Sequence, residues 1–145
     1  MPTSAEARLR AGLTTQSAAE TQALAAELAQ SLPPDAVLAL HGDLGAGKTT
    51  FVQGLACGLG VVGPVTSPTF SIYNLHRGRR LLVHLDAYRL DSAAQLDALM
   101  IDDFLVSPYC LAIEWPEKVS DWVPAAALHL DLALTATGHR IQLQA

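Results

Sequence analysis

Residues 42–49 read Gly42-Asp43-Leu44-Gly45-Ala46-Gly47-Lys48-Thr49 and fill every fixed position of the pattern G-x-x-x-x-G-K-[ST]. An apolar stretch, Ala36–His41, runs into it. An amphipathic stretch, Thr49–Leu59, runs out of it, with Phe51, Val52, Leu55 and Leu59 on one side. Strand, glycine turn and helix in that order let successive backbone amides face one anion at a helix N-terminus. The glycines remove the Cβ atoms that would block the wrap. Of only two lysines, Lys48 and Lys118, one falls on the required position. A chance glycine turn would meet the whole pattern in well under about 1% of chains this long. The pattern assigns Gly42, Asp43, Leu44, Gly45, Ala46, Gly47, Lys48 and Thr49 to phosphate, and Thr50, the next residue, is a further candidate. Lys48 is expected to reach the β- and γ-phosphates and Thr49 to offer its hydroxyl to Mg²⁺.

Around this centre the pattern predicts an alternation of helices and short strands. A weak strand is expected over Ala7–Leu13. Ser17 and Glu20 form a capping box for a helix carrying Leu24, Leu28 and Leu32 on one face. Pro33-Pro34 ends it. Gly58, Gly60 and Gly63 are expected to break up the helix after the loop. Phe70–Leu75 and Leu81–Asp86 read as strands joined by a basic turn, His76–Arg80. Asp91–Met100 reads as a helix with Leu96 and Met100 in the core. Leu111–Glu114 reads as a buried strand. Ala126–Leu134 and Arg140–Leu143 flank Thr137-Gly138 and predict a terminal hairpin. Short, fully apolar strands alternating with helices argue for an α/β sheet covered on both faces. At 145 residues the expectation is a single domain, residues 1–145.

A phosphate loop needs acidic partners for Mg²⁺ and water. Two apolar strands end in a carboxylate, Asp86 and Glu114. In a parallel sheet the strand C-termini share the edge that carries the loop, so both carboxylates are expected to face the nucleotide. An acid at a strand exit is often only a cap for the next element; two beside such a loop favour chemistry. Between the loop helix and the first of these strands lies Thr66-Ser67-Pro68-Thr69-Phe70. Switch proteins of this type sense the γ-phosphate with a hydroxyl in this interval, so Ser67 and Thr69 are candidates.

Composition narrows the partners. Nine basic residues against 14 acidic ones leave a net charge of −5. That disfavours tight sequence-independent nucleic-acid binding, which needs many cations. Half the residues are hydrophobic, yet no run approaches the roughly 20 residues that span a bilayer. The start has no apolar core of a secretory signal, and Cys57 and Cys110 read as reduced, buried thiols of a cytoplasmic protein. No Asn-Lys-x-Asp segment reads guanine. Arg89 is the one basic residue between Asp86 and Glu114, so the arginine-rich lid of a small-molecule kinase is missing. His41 reads as strand-end packing and His84 as a hydrogen-bonded strand residue. Trp115 is expected near the site, Trp122 in packing or an interface. Arg77–Arg80 reads as a solvated hairpin tip, with contact to a partner or tRNA as the alternative.

The loop with Thr50-Phe51, Ser67-Pro68-Thr69-Phe70, His84-Leu85-Asp86-Ala87-Tyr88-Arg89-Leu90 and Glu114-Trp115-Pro116 together resemble the bacterial TsaE (YjeE) ATPases. Thr21 in an N-terminal helix and the C-terminal hairpin complete the similarity, which covers essentially the whole chain. The resemblance implies a P-loop NTPase-type three-layer fold, with a mostly parallel central sheet and a C-terminal β-hairpin. It also implies a slow ATPase using ATP and Mg²⁺. That ATPase supports threonylcarbamoyladenosine modification of tRNA by acting on a TsaD–TsaB heterodimer, and meets tRNA only through that complex. By the same resemblance Glu114 is the second Mg²⁺ ligand. Asp86 is the partner of the attacking water or of the metal's water shell. Thr15, Gln16, His139 and Arg140 are candidates for the adenine side. The alternatives are a small-molecule phosphotransferase and a nucleotide-gated binding module without useful hydrolysis.

Overall fold

A computed structural model describes residues 4–68 and 72–144 of the chain. Seven strands form one sheet in the order β1-β7-β6-β2-β5-β4-β3. The centre is parallel: β2 (Ala36–His41) lies between β6 (Leu128–Leu134) and β5 (Tyr109–Glu114), and β4 (Leu81–Asp86) joins β5. Antiparallel strands close both sides. The hairpin of β6 and β7 (His139–Leu143) carries β1 (Leu13–Thr15), and β3 (Tyr73–Arg77) flanks β4. Helices and turns cover both faces, so the expected α/β architecture with a C-terminal hairpin is the one found. Among the described residues, no helix is long and apolar enough to cross a membrane.

Strand alternation sorts the core into two layers. Leu38, Leu40, Leu82, Cys110 and Ala112 point toward α2 (Ala18–Ser31) and α3 (Lys48–Gly58). Val37, Val83, Leu85, Leu111 and Ile113 point to the other side, where Leu96 of α4 (Ala93–Ala98) and Ile101 cover them. Each fully buried Leu or Phe contributes about 1.5–3 kcal/mol relative to exposure. The α2 helix starts as the capping box requires, with the Ser17 hydroxyl accepting from the Glu20 amide at 3.1 Å. Its close partner is α3. A Cβ on Gly54 would lie 2.4 Å from the Gln22 carbonyl oxygen, and one on Gly58 2.5 Å from that of Ala26. The helix ends at Gly58 and the chain leaves it through Gly60 at φ 77°, as expected, and Gly58 also lets α3 approach α2.

Several expectations are corrected. Of the expected strand 7–13 only Leu13 is extended, as the first residue of β1. Ser4 caps α1 (Ala5–Ala11), a run of strong helix formers that buries Leu9, and Gly12 at φ 91° turns the chain into β1. Met100 is not core: α4 stops at Ala98, Met100 takes left-handed backbone, and the residue is 61% exposed. Cys57 faces solvent from α3; only Cys110 is buried, and burial pushes its thiol up to about 12. The hairpin tip is not merely solvated. The Arg79 guanidinium donates to the Gly58 carbonyl at the end of α3. Arg80 donates to the carbonyls of Leu32 (2.9 Å) and Pro33 (2.8 Å) at the end of α2. Cations on helix C-termini are favourable there. Of the expected strand 70–75, Phe70 and Ser71 lie outside the described residues.

Candidate functional site

The three buried polar side chains of the central strands share one face by parity. His84, Asp86 and Glu114 follow Leu82, Cys110 and Ala112 in steps of two, and Asp86 stands opposite Glu114 across the β4–β5 ladder. All three therefore point to the α3 side, at the C-terminal edge of the parallel strands. The glycine-rich loop leaves β2 at this same edge. Gly45 (φ 81°) and Gly47 (φ 97°) adopt left-handed backbone, which few side chains tolerate, and Gly47 starts α3 with no side chain capping its free amides.

These elements enclose a cleft of about 360 Å³. Leu44, Gly45, Gly47, Lys48, Thr49 and Thr50 line one side. Ser67, Asp86, Tyr88, Glu114, Trp115 and His139 line the rest. Lys48 is 5% exposed, its ammonium donates to the Gly42 carbonyl, and it lies 3.6 Å over the Trp115 ring. Burial lowers its pKa from the ordinary lysine value. The carboxylates of Glu114, Glu117, Asp86 and Asp43 oppose that shift. The Thr49 hydroxyl donates to Glu114 Oε2 at 3.0 Å, and His84 Nε2 meets the same oxygen at 2.5 Å. Asp86 Oδ1 accepts from the Tyr88 amide at 2.9 Å, and Tyr88 packs against Trp115 at 5.1 Å. His139 Nε2 lies 3.3 Å from the Gly45 carbonyl oxygen.

The sequence candidates divide by location. Lys48, Thr49, Thr50, Asp86, Glu114 and His139 come together in the cleft with Ser67. Thr15, Gln16 and Arg140 do not line it. Thr15 is buried with its hydroxyl 2.6 Å from that of Thr21, and the Gln16 amide donates to Glu20. Arg140 stands opposite Thr14, with its guanidinium where a Cβ of Gly12 would be. Thr69 lies outside the described residues. Sequence reasoning missed Tyr88 as a lining residue and the partner of His84, although period-two counting back from Asp86 puts His84 on the site's face. His41, just before the loop, hydrogen-bonds His129 at 2.8 Å. Its pKa is lowered by burial and by His129, against Glu117 and Asp131.

The donor set fits a phosphate ester with a hard cation. Uncapped amides and a buried ammonium suit the anion, and a hydroxyl beside a carboxylate suits Mg²⁺. Among the described residues, no cluster of three or more His, Cys, Asp or Glu could hold a metal ion by itself. A cation here would need phosphate oxygens and water to complete its shell.

The family model described as "Threonylcarbamoyl adenosine biosynthesis protein TsaE" matches residues 15–141. The tRNA threonylcarbamoyladenosine biosynthesis protein TsaE of Treponema pallidum (strain Nichols) is 35% identical over 125 residues, covering 86% of this chain and 93% of that one. The protein of the same name from Bacillus subtilis (strain 168) is 34% identical over 135 residues, 86% and 84% of the two chains. Among solved structures, "Crystal structure of Bacillus subtilus YdiB" superposes with a TM-score of 0.75 at 33% identity. It covers 91% of this chain and 82% of that one.

Proposed function

The chain belongs to the TsaE family, and on that premise we propose that it is the ATP-hydrolysing accessory protein of tRNA threonylcarbamoyladenosine biosynthesis. In this reading it works in the cytoplasm on a TsaD–TsaB heterodimer and allows that heterodimer to turn over repeatedly. It meets tRNA only through the complex, in keeping with a net charge of −5. The observation that carries the reading is the convergence of Lys48, Thr49, Asp86 and Glu114 in one cleft at the N-terminus of α3.

The geometry supports the following roles. The loop amides and Lys48 bind the phosphates, for which Lys48 must give up the Gly42 carbonyl. Thr49 and Glu114 would hold Mg²⁺, which would supply positive charge to offset that of the phosphates. Asp86, braced by the Tyr88 amide, orients the attacking water. Trp115 shields the ammonium from solvent and so strengthens its field. Adenine is the preferred base, because the chain has no guanine-reading segment.

The test is ATP turnover by the purified protein with and without a TsaD–TsaB heterodimer. Slow turnover alone and a large rise in the complex are expected. Turnover that instead depends on a metabolite acceptor would make the protein a phosphotransferase, and no turnover in any setting would leave only a binding module. Glu114→Ala is expected to weaken Mg²⁺-dependent nucleotide binding. Asp86→Asn should keep binding and lose turnover. The reverse pattern in a Mg²⁺ titration with a fluorescent ATP analogue would exchange the two roles.

A further inference from the structure

We propose that His84 is a positioning residue for Glu114: its ring N–H fixes the carboxylate in the orientation that accepts the Thr49 hydroxyl. The inference rests on the reading of the cleft as a Mg²⁺-nucleotide site.

Glu114 Oε2 has two neighbours, Thr49 Oγ1 at 3.0 Å from α3 and His84 Nε2 at 2.5 Å from β4. The first comes from the loop side and the second from the sheet. Together they hold the acid between the helix and the next strand. His84 is fully buried and Glu114 is 4% exposed, so the contact between them is shielded from water. A carboxylate oxygen only accepts, so the ring carries its proton on Nε2. The other ring nitrogen, Nδ1, is buried with no hydrogen-bond partner among the described residues. A side chain serving the core alone would not leave a polar atom unsatisfied, since burying one costs free energy that a leucine would avoid. The hydrogen-bonding capacity that His84 uses goes to Glu114. Side chains that orient a metal-binding carboxylate from behind act in this way, and their loss typically costs 10- to 100-fold in metal affinity or activity.

The experiment compares the full-length wild type, His84→Leu, His84→Gln and Glu114→Ala, all checked for folding by thermal unfolding. Its first readout needs no nucleotide. In wild-type protein with ¹⁵N-labelled histidine, a ring N–H proton that is absent from His84→Leu should resonate downfield and exchange slowly. It should move in Glu114→Ala. A resonance indifferent to Glu114→Ala would overturn the contact. The second readout is the Mg²⁺ concentration at half-maximal binding of a fluorescent ATP analogue. His84→Leu should raise it by about 10- to 100-fold while nucleotide affinity without Mg²⁺ stays unchanged. His84→Gln, which returns an N–H at similar reach, should recover most of the loss. An unchanged Mg²⁺ midpoint in folded His84→Leu, or no rescue by glutamine, would overturn the positioning role. Wild-type protein that binds no nucleotide would instead overturn the nucleotide reading and the metal role with it, while the first readout still decided the contact.

Discussion

At its N-terminus α3 starts from left-handed Gly47, with free amides and no capping side chain. At its C-terminus the Gly58 carbonyl takes two donors, Gln30 Nε2 at 2.7 Å and the Arg79 guanidinium. The Leu59 amide closes the last turn onto Leu55 and Ala56. In principle each end carries four orphan groups, N–H donors at the first and C=O acceptors at the second. One end is sealed by other parts of the chain and the other is left open toward a cleft. The sealed end also packs against α2 through Gly54 and Gly58. The open end has instead a buried cation and two buried carboxylates around it. The interlocked packing and the open cleft thus lie at opposite ends of one 11-residue helix, and substitutions at the two ends should separate stability from nucleotide handling.

The largest effect is expected at the open end. Lys48→Ala should lower ATP turnover in the TsaD–TsaB complex by about 100- to 1000-fold, the scale of removing one preorganised donor to developing charge. Its unfolding free energy should change by less than about 1 kcal/mol, since burial already disfavours the charged ammonium. Wild-type turnover in this variant would break the comparison. Gly58→Ala, at the sealed end, should do the opposite. The new methyl meets the Ala26 carbonyl at 2.5 Å, so urea unfolding should show a loss of about 1–3 kcal/mol, with nucleotide affinity unchanged. Arg79→Ala should cost less, about 1 kcal/mol by the same measurement, because Gln30 still serves the carbonyl. The smallest effect concerns His41, beside the open end. Its folded pKa lies below the unfolded value of 6.5, so the unfolded chain binds its proton first. The His41 contribution is neutral above about pH 6.5 and destabilising as pH falls through the lowered folded value. His41→Gln should therefore flatten the pH dependence of stability between about pH 7 and pH 5; an unchanged slope would remove His41 from that account.

The same contrast explains how much was legible in the sequence. The open end is written locally: eight consecutive residues specify the glycine turn, the cation and the hydroxyl. The carboxylates follow because parallel strands end on one edge. The sealed end is written in long-range contacts. Arg79 reaches Gly58 across 21 residues and Arg80 reaches Leu32 across 48. No pattern around either arginine announces a helix end as its target. Gly58 ends the helix, but its close approach to α2 shows only once α2 is placed beside it. Residues 5–11 are helical for a local reason: the helix propensity of Ala-Glu-Ala-Arg-Leu-Arg-Ala and the Ser4 cap outweigh the weak strand expected there. Met100 failed because one residue of left-handed backbone ends the helical period that would have turned it inward.

If the open end of α3 is a Mg²⁺-ATP site, calorimetric titration of ATP into the isolated protein should show it. One equivalent should bind, more tightly with Mg²⁺ than without. The heat should vanish in Lys48→Ala and persist in Gly58→Ala, and GTP should bind more weakly. No saturable heat with ATP, or binding that survives Lys48→Ala unchanged, would contradict the account.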